Sequence, residues 1–428
     1  MSARFVPSWY AVDFGTSNSL LAAANAEGIH PPIPLDPIAN DPTILRSVLF
    51  FPDAERCAFG LDAIRQYVDA GMHGRLIRSV KKHLPSRTFL GTSIDERPMT
   101  LEQLVGLMLR EMRARANRHF GLDVRRVVLG RPARFSDDPD DDAFAQERLE
   151  RAAKIAGFEE VRFLAEPVAA AREYRRLAQT GSIALVADFG GGTSDFTILK
   201  LEPGELKPAD VLAIGGVAVA GDALDAGIMR TKVARHFGAD VVYRVPFGHN
   251  EMRMPPALIE RLCSPADLSI LRRHDVTTFL RNIRAWSLGE DDAEKIDQLF
   301  TLIEDGLGFQ IFESIERTKH ALTTREQDEL VFEYPTIAVR ENVTRADFER
   351  ASQRVVDKIL ERLDETLGAA GLSANDIEIV CCTGGTAKVP VVARAIATKF
   401  PRARMEQFKS FHSIVEGLAL HARDLARA

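Results

Sequence analysis

The sequence predicts an α/β protein made of two related lobes, and three observations carry that reading. The first is an internal echo. Tyr10-Ala11-Val12-Asp13-Phe14-Gly15-Thr16-Ser17-Asn18, followed by Leu20-Leu21-Ala22-Ala23, returns as Leu185-Val186-Ala187-Asp188-Phe189-Gly190-Gly191-Gly192-Thr193-Ser194-Asp195 followed by Phe196-Thr197-Ile198-Leu199. Each copy reads as apolar strand, small-residue turn and apolar strand, which is a β-hairpin. The separation is far too long for a solenoid repeat. The second is Ile379-Val380-Cys381-Cys382-Thr383-Gly384-Gly385-Thr386-Ala387-Lys388-Val389-Pro390, a buried strand, a Gly-Gly turn and a helix opened near Pro390. The third is length: 428 residues exceed one core. At ~150 residues per domain they make about three units, or two large ones with a cleft between them.

The elements follow in chain order. After the first hairpin, Thr100-Leu101-Glu102-Gln103 is a capping-box start for a helix running toward Phe120. Val127-Val128-Leu129-Gly130 is a short buried strand. The run Asp137-Asp138-Pro139-Asp140-Asp141-Asp142 reads as an acidic loop before a helix over residues 144–156. It is either a cation site or, as we prefer, a solvated loop whose carboxylates favour the coming helix N-terminus. Residues 228–312 differ in kind: Pro246, Pro255-Pro256 and Pro265 punctuate helix-like runs over 268–283 and 293–302, so a mostly helical insertion is expected.

Composition excludes several classes. Hydrophobic content of 46% and charged content of 27% are those of a folded chain, not a disordered one. Mean hydropathy is -0.09, and no apolar run approaches the ~20 residues of a membrane span. A net charge of -6 argues against a dedicated nucleic-acid binder, so the basic stretch over residues 110–126 reads as a solvated helix face. The four cysteines show no C-x-x-C spacing. Cys381 and Cys382 sit in an apolar run, where packing is a simpler role than a redox switch. Met1 to Trp9 lacks a signal-peptide core, so a reduced, cytoplasmic setting is expected.

Glycine turns let backbone N–H groups approach phosphate oxygens unobstructed. Thr16, Ser17 and Thr193 would add hydroxyl donors, and Asp13 and Asp188 would end their strands facing those phosphates. Carboxylates beside polyphosphate need a cation between them, and hydrated Mg²⁺ suits that place. There is no G-x-x-x-x-G-K-[ST] loop, and no G-x-G-x-x-G between a strand and a helix.

These residues carry a resemblance to the actin-like ATPase superfamily, and most closely to the DnaK-like, seventy-kilodalton heat-shock chaperones. Asp13-Phe14-Gly15-Thr16-Ser17-Asn18-Ser19 is similar to that family's first phosphate motif, and Asp188-Phe189-Gly190-Gly191-Gly192-Thr193-Ser194-Asp195 to its second. Leu164-Ala165-Glu166-Pro167-Val168-Ala169-Ala170-Ala171 resembles the connecting motif, and residues 383–390 the adenosine motif. The resemblance implies a duplicated, ribonuclease H-like fold, each lobe with a mixed five-stranded sheet and flanking helices. Lobe I would cover residues 1–180 and lobe II residues 181–405, with residues 406–428 a helix returning to lobe I.

It also implies roles. Asp13 and Asp188 would hold Mg²⁺ through water, Glu166 and Asp195 would orient the water shell, and Thr193 would sit at the γ-phosphate. Lys81 aligns with a lysine needed for hydrolysis, with Lys82 as its competitor. Gly15, Thr16, Ser17, Asn18, Gly190, Gly191, Gly192, Gly221, Asp222, Gly384, Gly385, Thr386 and Lys388 would line ATP or ADP. Glu316 and Lys319 would take the ribose and Thr323 the base; i, i+3 spacing puts the first two on one helix face, and composition alone would make them a surface ion pair.

His320 and Lys388 stand where the family often has arginines, and Phe411 where it has an aspartate. The expected protein is an ATP-binding, weakly ATP-hydrolysing member without the β-sandwich peptide-binding domain. Its protein partner, client or co-chaperone, would use the insertion, and neither nucleic acid nor membrane is expected. An actin-like filament former and a small-molecule kinase of the same superfamily are the alternatives; no residue identifies a polymer interface or a kinase's catalytic acid.

Overall fold

The computed structural model describes residues 5–71, 73–136, 138–174, 181–202, 208–265, 267–407 and 412–428. Asp137 and Phe411 lie outside the described residues. The chain forms two compact units, one of Met1–Ala218, Leu360–Ala387 and Ile396–Ala428, the other of Val219–Ile359 and Lys388–Ala395. Packing thus groups both hairpin sheets in the first unit, whereas the lobes expected at residues 1–180 and 181–405 follow the duplication.

In the first unit, Trp9–Phe14 pairs antiparallel with Asn18–Ala24 and parallel with Arg126–Arg131, which pairs parallel with Glu160–Ala165. Ile29–His30 and Leu45–Arg46 add two short strands to the hairpin's outer edge, making six in all. A parallel pair needs a crossover, and the helix Pro139–Ile155 supplies it between Arg126–Arg131 and Glu160–Ala165. The second sheet repeats the plan. Ser182–Phe189 pairs antiparallel with Ser194–Leu201 and parallel with Ile379–Thr383, flanked by Val211–Val217 and Arg404–Gln407.

Alternation sorts the side chains between two cores. Tyr10, Val12 and Phe14 face a core shared with the helix Leu101–Phe120, whereas Trp9 and Ala11 face one shared with Ala184, Val186 and Cys381. That second core is completed by Val415, Leu418 and Ala422 of the C-terminal helix, Ser413–Arg427. Strands buried on both faces read as continuous apolar runs, which is why both hairpins were conspicuous.

The capping box forms as expected: Gln103 N–H donates to Thr100 Oγ1, and Thr100 N–H to Gln103 Oε1. The acidic run is corrected. The helix begins at Pro139, not Phe144, because Asp138 caps it by accepting from the N–H groups of Asp140 and Asp141. Of the arginines in residues 110–126, Arg113 and Arg115 are half-buried, bonded to the Val124 carbonyl and to Glu111, while Arg110, Arg118, Arg125 and Arg126 are exposed, as a solvated face requires.

The second unit is mostly helical over residues 228–312, with helices Pro256–Leu262, His274–Trp286 and Asp292–Glu304. The run expected over 268–283 is broken: a 3-10 turn, Leu268–Arg272, ends at extended Arg273 before the next helix. Strands Val242–Tyr243 and Met252–Arg253 form a small hairpin there. The helix Gly308–Ala321 packs on a longer hairpin, Gln327–Tyr334 with Ile337–Thr344.

Candidate functional site

Space forces glycine at the first hairpin's turn and at the Gly-Gly turn after Thr383. A Cβ on Gly15 would lie 2.2 Å from the Asn18 carbonyl oxygen, and one on Gly384, at φ +83, would lie 2.1 Å from that of Phe189. Ser47 pins the first turn, its Oγ donating to the Gly15 carbonyl at 2.7 Å and its N–H to that of Ser17 at 2.8 Å. In the second hairpin's turn, Gly190 N–H donates to the Thr193 carbonyl at 2.9 Å, and Thr386 Oγ1 donates to the Gly190 carbonyl at 2.8 Å. Thr16, Asn18 and Gly191 are half-buried, while Ser17, Thr193 and Gly385 are exposed, and nothing stands within 4 Å of a Cβ built on Gly192.

The strand ends bring the charged residues together. Asp188 and Asp195 are register partners across the second hairpin, where like charges directly opposite are destabilising. Glu166 opens the helix Glu166–Tyr174 beside Gly130, where a Cβ would come within 3.2 Å of its Cγ. Lys81 lies on the 3-10 turn Val80–His83 and donates from Nζ to Glu166 Oε1 at 2.7 Å. Both are buried, whereas Lys82 is exposed; the structure therefore brings Lys81 into the cluster and leaves its competitor outside.

Electrostatics sharpen the picture. Four carboxylates, Asp13, Glu166, Asp188 and Asp195, surround one ammonium group. Burial, then Glu166, pushes the Asp13 carboxyl well above its ordinary range. Burial with Glu166 raises Asp188 to about 6, and burial with Asp188 raises Asp195 to about 8. Lys81 runs the other way: burial opposes its charge, but Glu166 and Asp13 outweigh it and hold it protonated. A buried surplus of negative charge is costly unless a cation balances it. Among the described residues no group of three side chains is placed to grip a metal directly. Mg²⁺ keeps most of its water and uses one or two carboxylates, so this hard-oxygen set fits it.

Two residues missed as site members belong to this arrangement. Thr383 is the register partner of Asp188 and donates to Asp188 Oδ1; its place at the strand's end beside the Gly-Gly turn was the available signal. Arg148 is fully buried and ties the loop after Lys81, donating to the Ser86 and Phe89 carbonyls at 3.1 Å and pairing with Glu102 at 2.8 Å. An arginine in an amphipathic helix carries no such signal in sequence.

The remaining expected residues lie in the second unit, apart from Gly384, Gly385 and Thr386. Gly221 and Asp222 form the first turn of the helix Gly221–Ile228. Lys319 does not pair with Glu316, which is exposed; its Nζ donates to Asp225 Oδ2 at 2.8 Å. Thr323 lies past the end of the helix Gly308–Ala321, its Oγ1 donating to the His320 carbonyl at 2.7 Å. Lys388 is exposed at the end of the 3-10 turn Gly385–Lys388.

A sequence profile described as Hsp70 protein matches residues 60–241 and 305–426, well over half of the chain. The chain belongs to the Hsp70 family. Its paired sheets and duplicated hairpins are accordingly those of the actin-like ATPase fold. The span this Hsp70 profile leaves unmatched between its two segments, residues 242–304, falls inside the insertion read from sequence. A chaperone protein DnaK from Thermotoga neapolitana is 24% identical over 426 residues, which is 97% of this chain and 59% of that protein. The Hsp70-family chain thus spans about three-fifths of the length of that relative. No described helix is long and apolar enough to cross a membrane.

Proposed function

We propose that this chain binds Mg·ATP at the carboxylate–lysine cluster, hydrolyses it slowly, and uses nucleotide state to control lobe closure and partner binding. The observation that carries the reading is the charge imbalance: four carboxylates against one buried lysine, with close-packed glycines at the neighbouring turns of Gly15 and Gly384. Membership of the Hsp70 family supports the nucleotide-binding part of it.

Asp13 and Asp188 would hold Mg²⁺, through water as the family resemblance implies. Mg²⁺ supplies neutralisation of the charge on the transferring phosphoryl oxygens. Lys81, kept protonated by Glu166 and Asp13, presents a fixed positive charge to the phosphates. Glu166 and Asp195 orient the attacking water, and Thr193, donating to Asp195 Oδ2 at 2.9 Å, sits at the γ-phosphate. The turn amides and Thr16 and Ser17 bind phosphate oxygens, Gly384, Gly385, Thr386 and Lys388 the adenosine, and Glu316 and Lys319 the ribose. Catalysis is then positioning and electrostatics without a covalent intermediate, and phosphate loss changes what the two hairpins grip.

A partner protein would meet the insertion. Phe247 supports this: it projects fully into solvent there, at φ +64, in a turn closed by Gly248 N–H to the Val245 carbonyl at 2.9 Å.

Calorimetric titration with Mg·ATP tests the proposal. Wild-type protein should bind and an Asp188→Ala variant should lose at least ~tenfold in affinity, the loss of one charge-assisted contact. Absence of binding by folded wild-type protein defeats the reading.

A further inference from the structure

Asp188 stands between two register partners on neighbouring strands, Asp195 on one side and Thr383 on the other. Side chains opposite one another share a face of the sheet. The carboxylate therefore meets a like charge on one flank and a hydroxyl on the other. Thr383 is buried at 5% exposure and donates from Oγ1 to Asp188 Oδ1. The turn that follows hems in the same oxygen, since a Cβ on Gly384 would lie 3.1 Å from it. Among the described residues no other hydrogen bond reaches this carboxylate, so Oδ2 keeps its acceptor capacity. The first hairpin is built otherwise: Leu20 stands opposite Asp13, and no described side chain donates to Asp13. The duplication thus breaks at its two aspartates, with one loose and one locked.

We infer that Thr383 is a positioning residue that makes Asp188 a one-oxygen anchor, leaving Oδ2 to face a divalent cation or its water shell and setting a preference for Mg²⁺ over Ca²⁺. The inference rests on the nucleotide-binding reading above and adds a source of metal selectivity to it. Mg²⁺ demands near-ideal octahedral geometry, whereas Ca²⁺ accepts carboxylates through one oxygen or two and tolerates flexible sites. An Asp188 held at Oδ1 suits the first ion. Released from Thr383, it can turn away from Asp195 or offer both oxygens, and that freedom costs Mg²⁺ more than Ca²⁺. Thr383 acts through Asp188 and touches neither ion nor nucleotide.

The test compares the two ions. Dissociation constants for ATP are measured by calorimetry over a range of free Mg²⁺ or Ca²⁺, and in EDTA, for wild type, Thr383→Val and Thr383→Ser. Thr383→Val keeps the β-branched shape and removes the donor. Its half-effective Mg²⁺ concentration should rise at least ~fivefold, the scale of one hydrogen bond to a charged group. Its half-effective Ca²⁺ concentration should move less than ~twofold. Thr383→Ser keeps the hydroxyl and should stay within ~twofold of wild type for both ions. A merely structural role weakens ATP binding as much in EDTA as with Mg²⁺, which overturns the inference. Equal shifts for the two ions overturn it too, as does a serine variant that behaves like the valine one. Wild type that binds ATP without regard to metal overturns it while nucleotide binding stands. Wild type that binds no ATP under any condition removes the nucleotide reading and this inference together. If Thr383→Val does not fold, Thr383→Ala carries the same expectation, and an unchanged ion preference in that variant counts against the inference.

Discussion

Replacing Arg148 by Met should unfasten the loop that presents Lys81, and the structure sets the size of the effect. Arg148 Nε donates to Glu102 at 2.8 Å, Nη1 to the Ser86 carbonyl and Nη2 to the Phe89 carbonyl, each at 3.1 Å. Two further contacts, to the His83 and Leu84 carbonyls at 3.4 Å, are too long to count for much. A bond to a charged group contributes ~1.5–3 kcal/mol and each short carbonyl bond ~1. Glu102 retains Arg151 at 3.5 Å, and the Met side chain keeps the packing of the arginine stem. The net loss is therefore ~3–4 kcal/mol. The protein has two tryptophans, buried Trp9 in the first unit and Trp286 in the second. Urea unfolding followed by Trp9 fluorescence in a Trp286→Phe background isolates the first unit. Adding Glu102→Gln to Arg148→Met should cost little more than Arg148→Met alone, since the pair is already broken. A destabilisation below ~1 kcal/mol, or strict additivity of the two changes, refutes the clamp.

Three other expectations follow from single contacts. A Cβ at Gly417 would lie 1.9 Å from the Ala169 carbonyl oxygen, so Gly417→Ala should cost at least ~2 kcal/mol by overpacking; an unchanged Trp9 unfolding midpoint contradicts that. Phe247→Gly removes an exposed side chain from a left-handed backbone and should stabilise the second unit by up to ~1 kcal/mol, read by Trp286 fluorescence; destabilisation would mean the ring packs somewhere. Lys232, donating at 2.7 Å, draws the Asp347 carboxyl down to about 2. Because its folded value lies below its ordinary one, the pair's stabilisation, at most ~1 kcal/mol for a half-exposed pair, is present at pH 7 and lost between about 4 and about 2. The stability gap between wild type and Asp347→Asn should therefore shrink over that window in an acid titration, and an undiminished gap at pH 2 rules the assignment out.

Much of the fold was legible because its elements were unusually marked. Strands buried on both faces left apolar runs around Asp13 and Asp188, and glycine turns announced both hairpins. Thr100 and Gln103 fixed a helix start from four residues. Other features were illegible because they depend on partners distant in sequence. Asp138 capped the helix at Pro139, yet Asp140, Asp141 and Asp142 read equally well as loop. Lys81 and Lys82 differ only in which one the turn at Ser79 points inward. Lys319 had a plausible neighbour in Glu316 at i-3, but its partner is Asp225, 94 positions away. Short-range spacing identifies candidates; long-range packing chooses among them.

The C-terminal helix has a consequence for the making of the protein. Ile414, Val415, Leu418 and Ala422 complete the core that Trp9, Ala11 and Leu20 begin, so during synthesis the first hairpin waits for a helix that is far downstream in the chain. At ~5–20 residues per second that delay is tens of seconds. The strand Ile379–Thr383, which the second hairpin needs as its parallel neighbour, also arrives late. Residues 219–359, by contrast, are contiguous and nearly complete the second unit by themselves. The nascent chain therefore carries a long-lived, half-covered apolar sheet beside a unit able to close early, and a chain interrupted before Ser413 would never cover it. A member of a chaperone family is thus, during its own synthesis, the kind of polypeptide that needs one.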